Sequence, residues 1–192
     1  MSKGRLEAFS DGVLAIIVTI MVLELRPPEG TTLEDLFALW PKLLSYALSF
    51  VYVAIYWVNH HHLLQAARAV SGRVLWSNIL LLFTLSLVPF ATAWMGEHSF
   101  AGTPVLIYNV VLLLPAIAYF VLVRALIAVP GQPVALAEEV GRDFKGKVSI
   151  LIYVVALAVS LVAPPIAIAL DVLVAAIWIV PDPRMERVLE RS

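Results

Sequence analysis

The chain has no cysteine and few charged residues. Of its 192 residues, 14% are Asp, Glu, Lys or Arg, whereas 61% are hydrophobic, and the net charge is −1. Without cysteine there are no disulfides and no thiol chemistry, and a net charge near zero gives no basic field for nucleic acid. A soluble domain of this length needs a polar shell that so few charges cannot supply. The composition therefore predicts an integral membrane protein, with lipid covering much of the surface.

Common enzyme signatures are also missing. The sequence contains no phosphate-binding loop, no recognisable Ser-His-Asp arrangement and no zinc motif. The first apolar run reaches about Leu25 and carries Asp11 near its start. A signal peptide would have a shorter apolar region followed by a small-residue cleavage site. We therefore expect a retained membrane helix here, and no enzyme.

Long apolar runs dominate the rest of the chain. A hydrocarbon core of ~30 Å requires about 20 apolar residues as helix, and these runs are too continuous for the alternating strands of a barrel. We predict an all-α, polytopic membrane protein with one domain over residues 1–192 and six transmembrane helices. The helices are expected near Phe9–Leu25, Leu36–Asn59, Val74–Met95, Pro104–Val129, Val148–Val162 and Ile166–Val180.

The last two helices are short and meet at Pro164-Pro165. Proline disfavours helix at the preceding residue, which indicates a tight turn; the alternative is one kinked helix and five spans. Lys and Arg collect on the cytoplasmic side of membrane proteins. Six spans place every Lys and Arg except Arg26 and Lys42 on one side, whereas five would put the arginines of the tail outside. We therefore predict a multi-pass protein of the cell membrane with both termini in the cytoplasm.

The first helix carries an apolar stripe and an acid on different faces. Ile16, Thr19, Ile20 and Leu23 follow i, i+3, i+4, i+7 spacing and share a face. Asp11 lies roughly 140° around the helix from Ile16. The stripe is compatible with ordinary helix packing or with a pore lining.

Other polar residues leave alternatives open. Asp11 is interpreted as a structural charge whose candidate partners are Arg5, His60–His62 and Asn78. Successive histidines point about 100° apart and serve one metal ion poorly, so hydrogen bonding of the histidines to Asp11 or Asn78 is favoured over a metal site or a membrane enzyme. Glu24 is either a solvated helix end or part of an acidic ring. Asp171 is either a partnered acid or a proton or ion site.

Three sequence elements in the first half resemble a known family. They are Arg5-x-x-x-Phe9-Ser10-Asp11, Trp57-x-x-His60-His61, and Asn78 followed by Pro89-Phe90-x-Thr92. In this order they resemble the lysosomal potassium channel family, transmembrane protein 175, and its bacterial relatives. The second half matches that family only in helix count.

The resemblance implies a homotetramer with the first helix of each chain lining a central pore. By offset from Phe-Ser-Asp, it makes Ile16 the main constriction, Thr19 a threonine layer that favours potassium, and Leu23 a second hydrophobic ring, with Ile20 and Glu24 supporting the pore face. It implies a structural polar network formed by Arg5, Phe9, Ser10, Asp11, Trp57, His60, His61 and Asn78.

A Thr-Val-Gly-Tyr-Gly filter is absent, so rings of backbone carbonyls are not available. The expected function is passive conduction of K⁺, with weaker Na⁺ and some H⁺ permeation and no cofactor. A proton- or ion-coupled secondary transporter is the alternative. Such a protein would normally show inverted repeats or helices broken at the midplane, and the Pro-Pro turn is the strongest candidate for a break.

Overall fold

Eight helices build the described part of the chain. The structure is a computed structural model that describes residues 2–133, 136 and 144–179. The helices are α1 (Lys3–Leu23), α2 (Leu33–Phe37), α3 (Trp40–Ala66), α4 (Gly72–Leu85), α5 (Val88–Glu97), α6 (Gly102–Ile127), α7 (Phe144–Val159) and α8 (Pro164–Ile179). The predicted all-helical fold is therefore confirmed. The predicted helix end at Val180 and the arginine-rich tail lie outside the described residues.

Four helical segments of the described chain are long and apolar enough to cross a membrane. They are α1, α3, the combined stretch Gly72–Glu97, and α6. α7 and α8 have 16 residues each, which corresponds to about 24 Å of helix and falls short of the ~30 Å core. They are separated by the turn predicted at Pro164, so each of the six predicted segments contains helix.

The third predicted helix is divided in two. Val74–Met95 was expected to be continuous, but α4 ends at Leu85 and α5 begins at Val88. Pro89 lies in the first turn of α5, where its missing N–H and fixed φ are tolerated. In a continuous helix the same ring would clash with the carbonyl group four residues earlier, so the chain interrupts the helix just before it.

The second predicted helix is shifted along the chain. Leu36, its expected start, belongs to the short helix α2, which begins with a capping box in which Thr32 and Asp35 bond each other's main-chain N–H. These hydrogen bonds to Thr32 hold the pKa of the Asp35 carboxyl below its usual value. α3 then starts at Trp40 and extends to Ala66, so His60–His62 lie within the helix rather than at its end.

α3 to α6 form a middle layer between two outer groups of helices. α1 packs mainly on α3, α4 and α5, while α7 and α8 pack on each other and on α6, and α8 also contacts α3. The core follows this arrangement, with large fully buried side chains on α6 such as Tyr108, Leu112 and Leu122. α1 is therefore an edge helix with partners on one side only.

Candidate functional site: the edge helix and its polar supports

One face of α1 is exposed along its whole length in the single chain. Ile16 is 58% exposed, Leu23 is 77% exposed, and Thr19 and Ile20 are also exposed. The Thr19 hydroxyl donates its hydrogen bond to the main-chain oxygen of Ile16 at 2.8 Å. That bond uses the only hydroxyl hydrogen and leaves both lone pairs of the oxygen, which can accept a hydrogen bond from, or coordinate, a group beside the helix.

The opposite face of α1 holds the helix in the bundle. Leu6, Ser10, Leu14, Ile17 and Met21 are its buried residues, and they follow steps of four, four, three and four. Ile17 lies about 130° from the midpoint of the exposed positions 16 and 19, counting 100° per residue. The buried and exposed stripes therefore lie on different sides of the helix, and the exposed residues are not needed for packing within the chain.

A buried polar chain joins α1, α4 and α3. Asn78 Nδ2 donates to Ser10 Oγ at 2.9 Å, and Ser10 Oγ donates to the Leu6 main-chain oxygen at 2.8 Å. His60 Nε2 lies 2.7 Å from Asn78 Oδ1. An amide oxygen can only accept, so His60 Nε2 carries the hydrogen. Ser10, Asn78 and His60 are all buried, and the sequence-based pairing of His60 with Asn78 is present.

A second polar cluster lies at the surface of the single chain. Trp57 Nε1 donates to Asp11 Oδ1 at 2.9 Å, and the Trp57 ring stacks on His61 with centroids 6.0 Å apart. Asp11 is exposed, and its hydrogen-bond partner is Trp57 rather than any of the partners expected from the sequence. Arg5 and Phe9 are exposed as well, and the described residues give Arg5 no hydrogen bond or ion pair.

His62 and Glu24 lie outside these two polar clusters. His62 is half-buried and tilted against His61, and no group of three His, Cys, Asp or Glu residues suited to a metal ion occurs in residues 2–133, 136 and 144–179. Glu24 caps the C-terminal end of α1 and shares a shallow pocket with Lys42 and Glu97. Lys42 and Glu97 form an ion pair at 3.7 Å.

Sequence reasoning missed a further polar ladder on the other side of α3. Ser49 Oγ is hydrogen-bonded to Tyr108 of α6 at 3.0 Å and to Thr92 of α5 at 2.7 Å. The Tyr52 hydroxyl donates to the main-chain oxygen of Asp171 at 2.6 Å. Ser45, Ser49 and Tyr52 are spaced four and three residues apart, and this helical spacing of small and polar residues was the available signal.

Comparisons with known proteins place this geometry in one family. The family model described as endosomal/lysosomal potassium channel TMEM175 matches residues 5–89. A protein named as a potassium channel from Chryseobacterium sp. (strain P1-3) is 50% identical over 192 residues, which is 100% of this chain and 100% of that protein. The human protein named endosomal/lysosomal proton channel TMEM175 is 33% identical over 116 residues, 54% of this chain and 23% of its own length.

A solved structure agrees over nearly the whole chain. The crystal structure of a lysosomal potassium-selective channel TMEM175 homolog from Chamaesiphon minutus superposes with a TM-score of 0.81 and 28% sequence identity. The match covers 92% of this chain and 95% of that chain. At this coverage the match extends into the second half of the chain, which the three sequence elements described above do not reach. The relatives are ion channels rather than enzymes, and this chain belongs to the TMEM175 family as a bacterial-type member.

Proposed function

We propose that this chain is a potassium-permeable channel in which four copies surround a pore lined by α1. The observation that carries the proposal is the exposed stripe of Ile16, Thr19 and Leu23 on a helix whose opposite face is fully packed. The full-length similarity to a protein named as a potassium channel supports the same conclusion.

The stripe has the chemistry of a hydrophobic gate. In a four-fold assembly Ile16 and Leu23 would each form a ring of branched apolar side chains, seven residues or about 10 Å apart along the helix. Water leaves so narrow an apolar segment readily, and an ion can cross only if the rings widen or the barrier is short. The side chains thus control conduction by size and by dewetting, without a filter of backbone carbonyls.

Thr19 supplies the polar layer between the two rings. Its hydroxyl hydrogen is committed to Ile16 O, so four Thr19 oxygens would face the axis as acceptors. They can replace part of the hydration shell of a cation. A single layer of four oxygens discriminates weakly between ions. The preference for K⁺ is therefore modest, and Na⁺ and H⁺ also permeate, though less than K⁺.

The outer end of the pore is acidic. Glu24 follows Leu23 at the end of α1 and is exposed, and Ile20 lies on the same side of the helix one turn earlier. Four copies of Glu24 would raise the local cation concentration at the mouth. With both chain ends in the cytoplasm of a cell-membrane protein, this acidic mouth faces the outside.

Two observations bear on other functions. The animal relatives are named as proton channels, which favours H⁺ as a second permeant ion through the same pore. A proton- or ion-coupled transporter is not favoured, because the similar proteins are named as channels and the break predicted at the Pro-Pro turn lies between α7 and α8 rather than within a helix.

Flux into liposomes tests the pore assignment. Purified protein is reconstituted with a potassium gradient and a protonophore, and Ile16→Asn is compared with wild type. The variant replaces an apolar constriction with a hydrated one, so its flux should rise at least several-fold and its K⁺/Na⁺ preference should fall. Ile79→Asn is the matched control, because Ile79 is an exposed position on α4, away from the α1 stripe.

The two variants give distinguishable outcomes. An Ile16→Asn flux equal to that of wild type, in protein that reconstitutes normally, would remove Ile16 from the pore. Wild-type uptake that requires a coupling gradient of a second ion would instead indicate a transporter. An equal rise in Ile79→Asn would mean that the substitution makes the membrane leaky.

A further inference from the structure

A carboxyl group is buried in α8, an outer helix that packs on α7, α6 and α3 rather than on α1. Asp171 lies in the middle of α8, and its side chain is 0% exposed. Both of its carboxyl oxygens lack a hydrogen-bond partner among the described residues. Asn109 Oδ1, on α6, is the third buried polar atom of the described chain with no partner.

The amide of Asn109 is held in one orientation. Its Nδ2 donates to the main-chain oxygen of Val105 at 3.0 Å. Turning the amide over would bring its oxygen against that carbonyl, acceptor to acceptor. Asn109 is the polar side chain that adjoins the carboxyl group of Asp171, and the orientation fixed by Val105 leaves Oδ1 as the atom in need of a donor.

The nearby hydroxyl groups do not bond the carboxyl oxygens of Asp171. The titratable groups that face Asp171 are Tyr52 from α3, Tyr108 from α6 and Tyr153 from α7. Tyr52 donates to the main-chain oxygen of Asp171, and Tyr108 pairs with Ser49. The ring of Tyr153 lies beside that of Tyr52, with centroids 6.3 Å apart. No Lys, Arg or His of the described chain is among the groups that act on the carboxyl group.

A negative charge in these surroundings has no cationic partner among the described residues, and the adjoining Asn109 amide offers it at most one N–H. An unpaired carboxylate in an apolar interior is strongly disfavoured and takes up a proton instead. A bare alkali-metal ion would need a full shell of oxygens to replace its water, and three unpartnered atoms are too few. One proton on the carboxyl group, in contrast, supplies the single O–H donor that Asn109 Oδ1 lacks.

We propose that Asp171 and Asn109 form a proton-binding site between α8 and α6. The carboxylate of Asp171 takes one proton from water, becomes a neutral acid and donates that hydrogen to Asn109 Oδ1. A cavity lined by Tyr52, Tyr56, Tyr153 and Trp178 meets the site at Tyr52, whose hydroxyl bonds the main-chain oxygen of Asp171, and we assign the entry of the proton to this side. The site lies across α3 from α1 and does not depend on how ions are conducted.

Infrared spectroscopy of the purified full chain tests the site directly. Wild type at neutral pH should show the carbonyl stretch of a protonated carboxylic acid, shifted in deuterium oxide, and Asp171→Asn should lose that band. Asp35→Asn is the matched control, since Asp35 is a surface acid bound to Thr32, and its variant should keep the band. Asn109→Leu should keep the band but move it to the higher frequency of an unbonded acid.

Each alternative has its own result. A spectrum without the acid band in wild type, identical to that of Asp171→Asn, would overturn the proposal; if the melting temperature of wild type then rose with Na⁺ or K⁺ concentration, the ligand would be a metal ion. If Asp171→Asn does not fold, the frequency of the acid band in Asn109→Leu tests the proposal instead. An unshifted band in Asn109→Leu would show that the proton is not shared with Asn109.

Discussion

At the scale of single residues, polar groups in this chain divide into those that hold helices together and those that face outward. Ser10, Asn78 and His60 form a linear chain of hydrogen bonds that ends at the Leu6 main-chain oxygen, and each atom in it has a defined donor or acceptor role. Ser10 and Thr19 both donate their hydroxyl hydrogen to their own helix, but the Ser10 oxygen also accepts from Asn78, whereas Thr19 is exposed. The same hydroxyl chemistry therefore serves packing at position 10 and presents an oxygen to the surroundings at position 19.

Removing the centre of the buried chain should destabilise the fold. Asn78→Ala leaves His60 Nε2 without its acceptor and Ser10 Oγ without the N–H that it accepts, and we expect a loss of about 1–2 kcal/mol in unfolding free energy, measured by SDS-induced unfolding. Asn59→Ala is the control, because the Asn59 side chain bonds only the main-chain oxygen of Ile55 within α3. Equal losses in the two variants would show that the Ser10–Asn78–His60 chain adds nothing specific.

Thr19 should determine ion preference without affecting the fold. Thr19→Val keeps the shape of the side chain but removes the oxygen, so the K⁺/Na⁺ permeability ratio should move towards one in a bi-ionic reversal-potential measurement. Thr19→Ser retains the oxygen and should keep most of the preference. A reversal potential that is unchanged in Thr19→Val would exclude a selective threonine layer.

At the scale of helices, close approach determines where α5 meets α3. A Cβ atom built on Gly96 would lie 2.9 Å from Lys42 Cα and 3.2 Å from Ser45 Oγ, and the first of these atoms is main chain that cannot rotate away. Small residues at such crossings let membrane helices approach closely. Gly96 therefore fixes the distance between the helices.

Gly96→Ala should separate α5 from α3 and lower the melting temperature by several degrees, corresponding to roughly 1–3 kcal/mol for overpacking. Gly72→Ala is the matched control: nothing lies within 4 Å of the added Cβ, so the melting temperature should be unchanged or higher. An unchanged melting temperature in Gly96→Ala would mean that α3 shifts at no measurable cost.

Helix number and approximate position followed from the apolar runs, whereas helix breaks and partners did not. The interruption at Ser86 and Leu87 was missed because Pro89 is compatible with either a kink or a new helix start. The Asp11–Trp57 bond was missed because periodicity places a residue on a face but does not say which neighbouring helix meets it. Asp171 was expected to be a partnered acid or a proton or ion site, but its neighbour Asn109 lies 62 positions away in the chain and could not be named from the sequence.

At the scale of the whole molecule, a single chain leaves surfaces that an assembly would cover. Asp11 and the 46%-exposed Trp57 lie beside the α1 stripe, together with Phe50 and Ala54 around an open groove. At such a position an aspartate bonded to a tryptophan is well suited to a contact between neighbouring chains. Without that contact its charge would be exposed to lipid.

Native mass spectrometry of the purified protein should show a tetramer, and Trp57→Phe should weaken it, because phenylalanine cannot donate to Asp11. The variant monomer should keep its helical content. Trp76→Phe is the control, since Trp76 is an exposed tryptophan on α4. A monomeric or dimeric wild type would refute the four-fold assembly, and a tetramer indifferent to Trp57→Phe would place the Asp11–Trp57 pair outside the contact.

The separate buried and exposed stripes of α1 have an evolutionary consequence. Ile17 and Met21 are buried and pack α1 into the bundle. Ile16 and Leu23, one or two positions away, are mostly exposed within their own chain. Selection can therefore exchange the outward residues one at a time and sample new conductances or ion preferences while the monomer continues to fold. Sequences that share the inward stripe and differ in the outward one should accordingly fold alike and conduct differently.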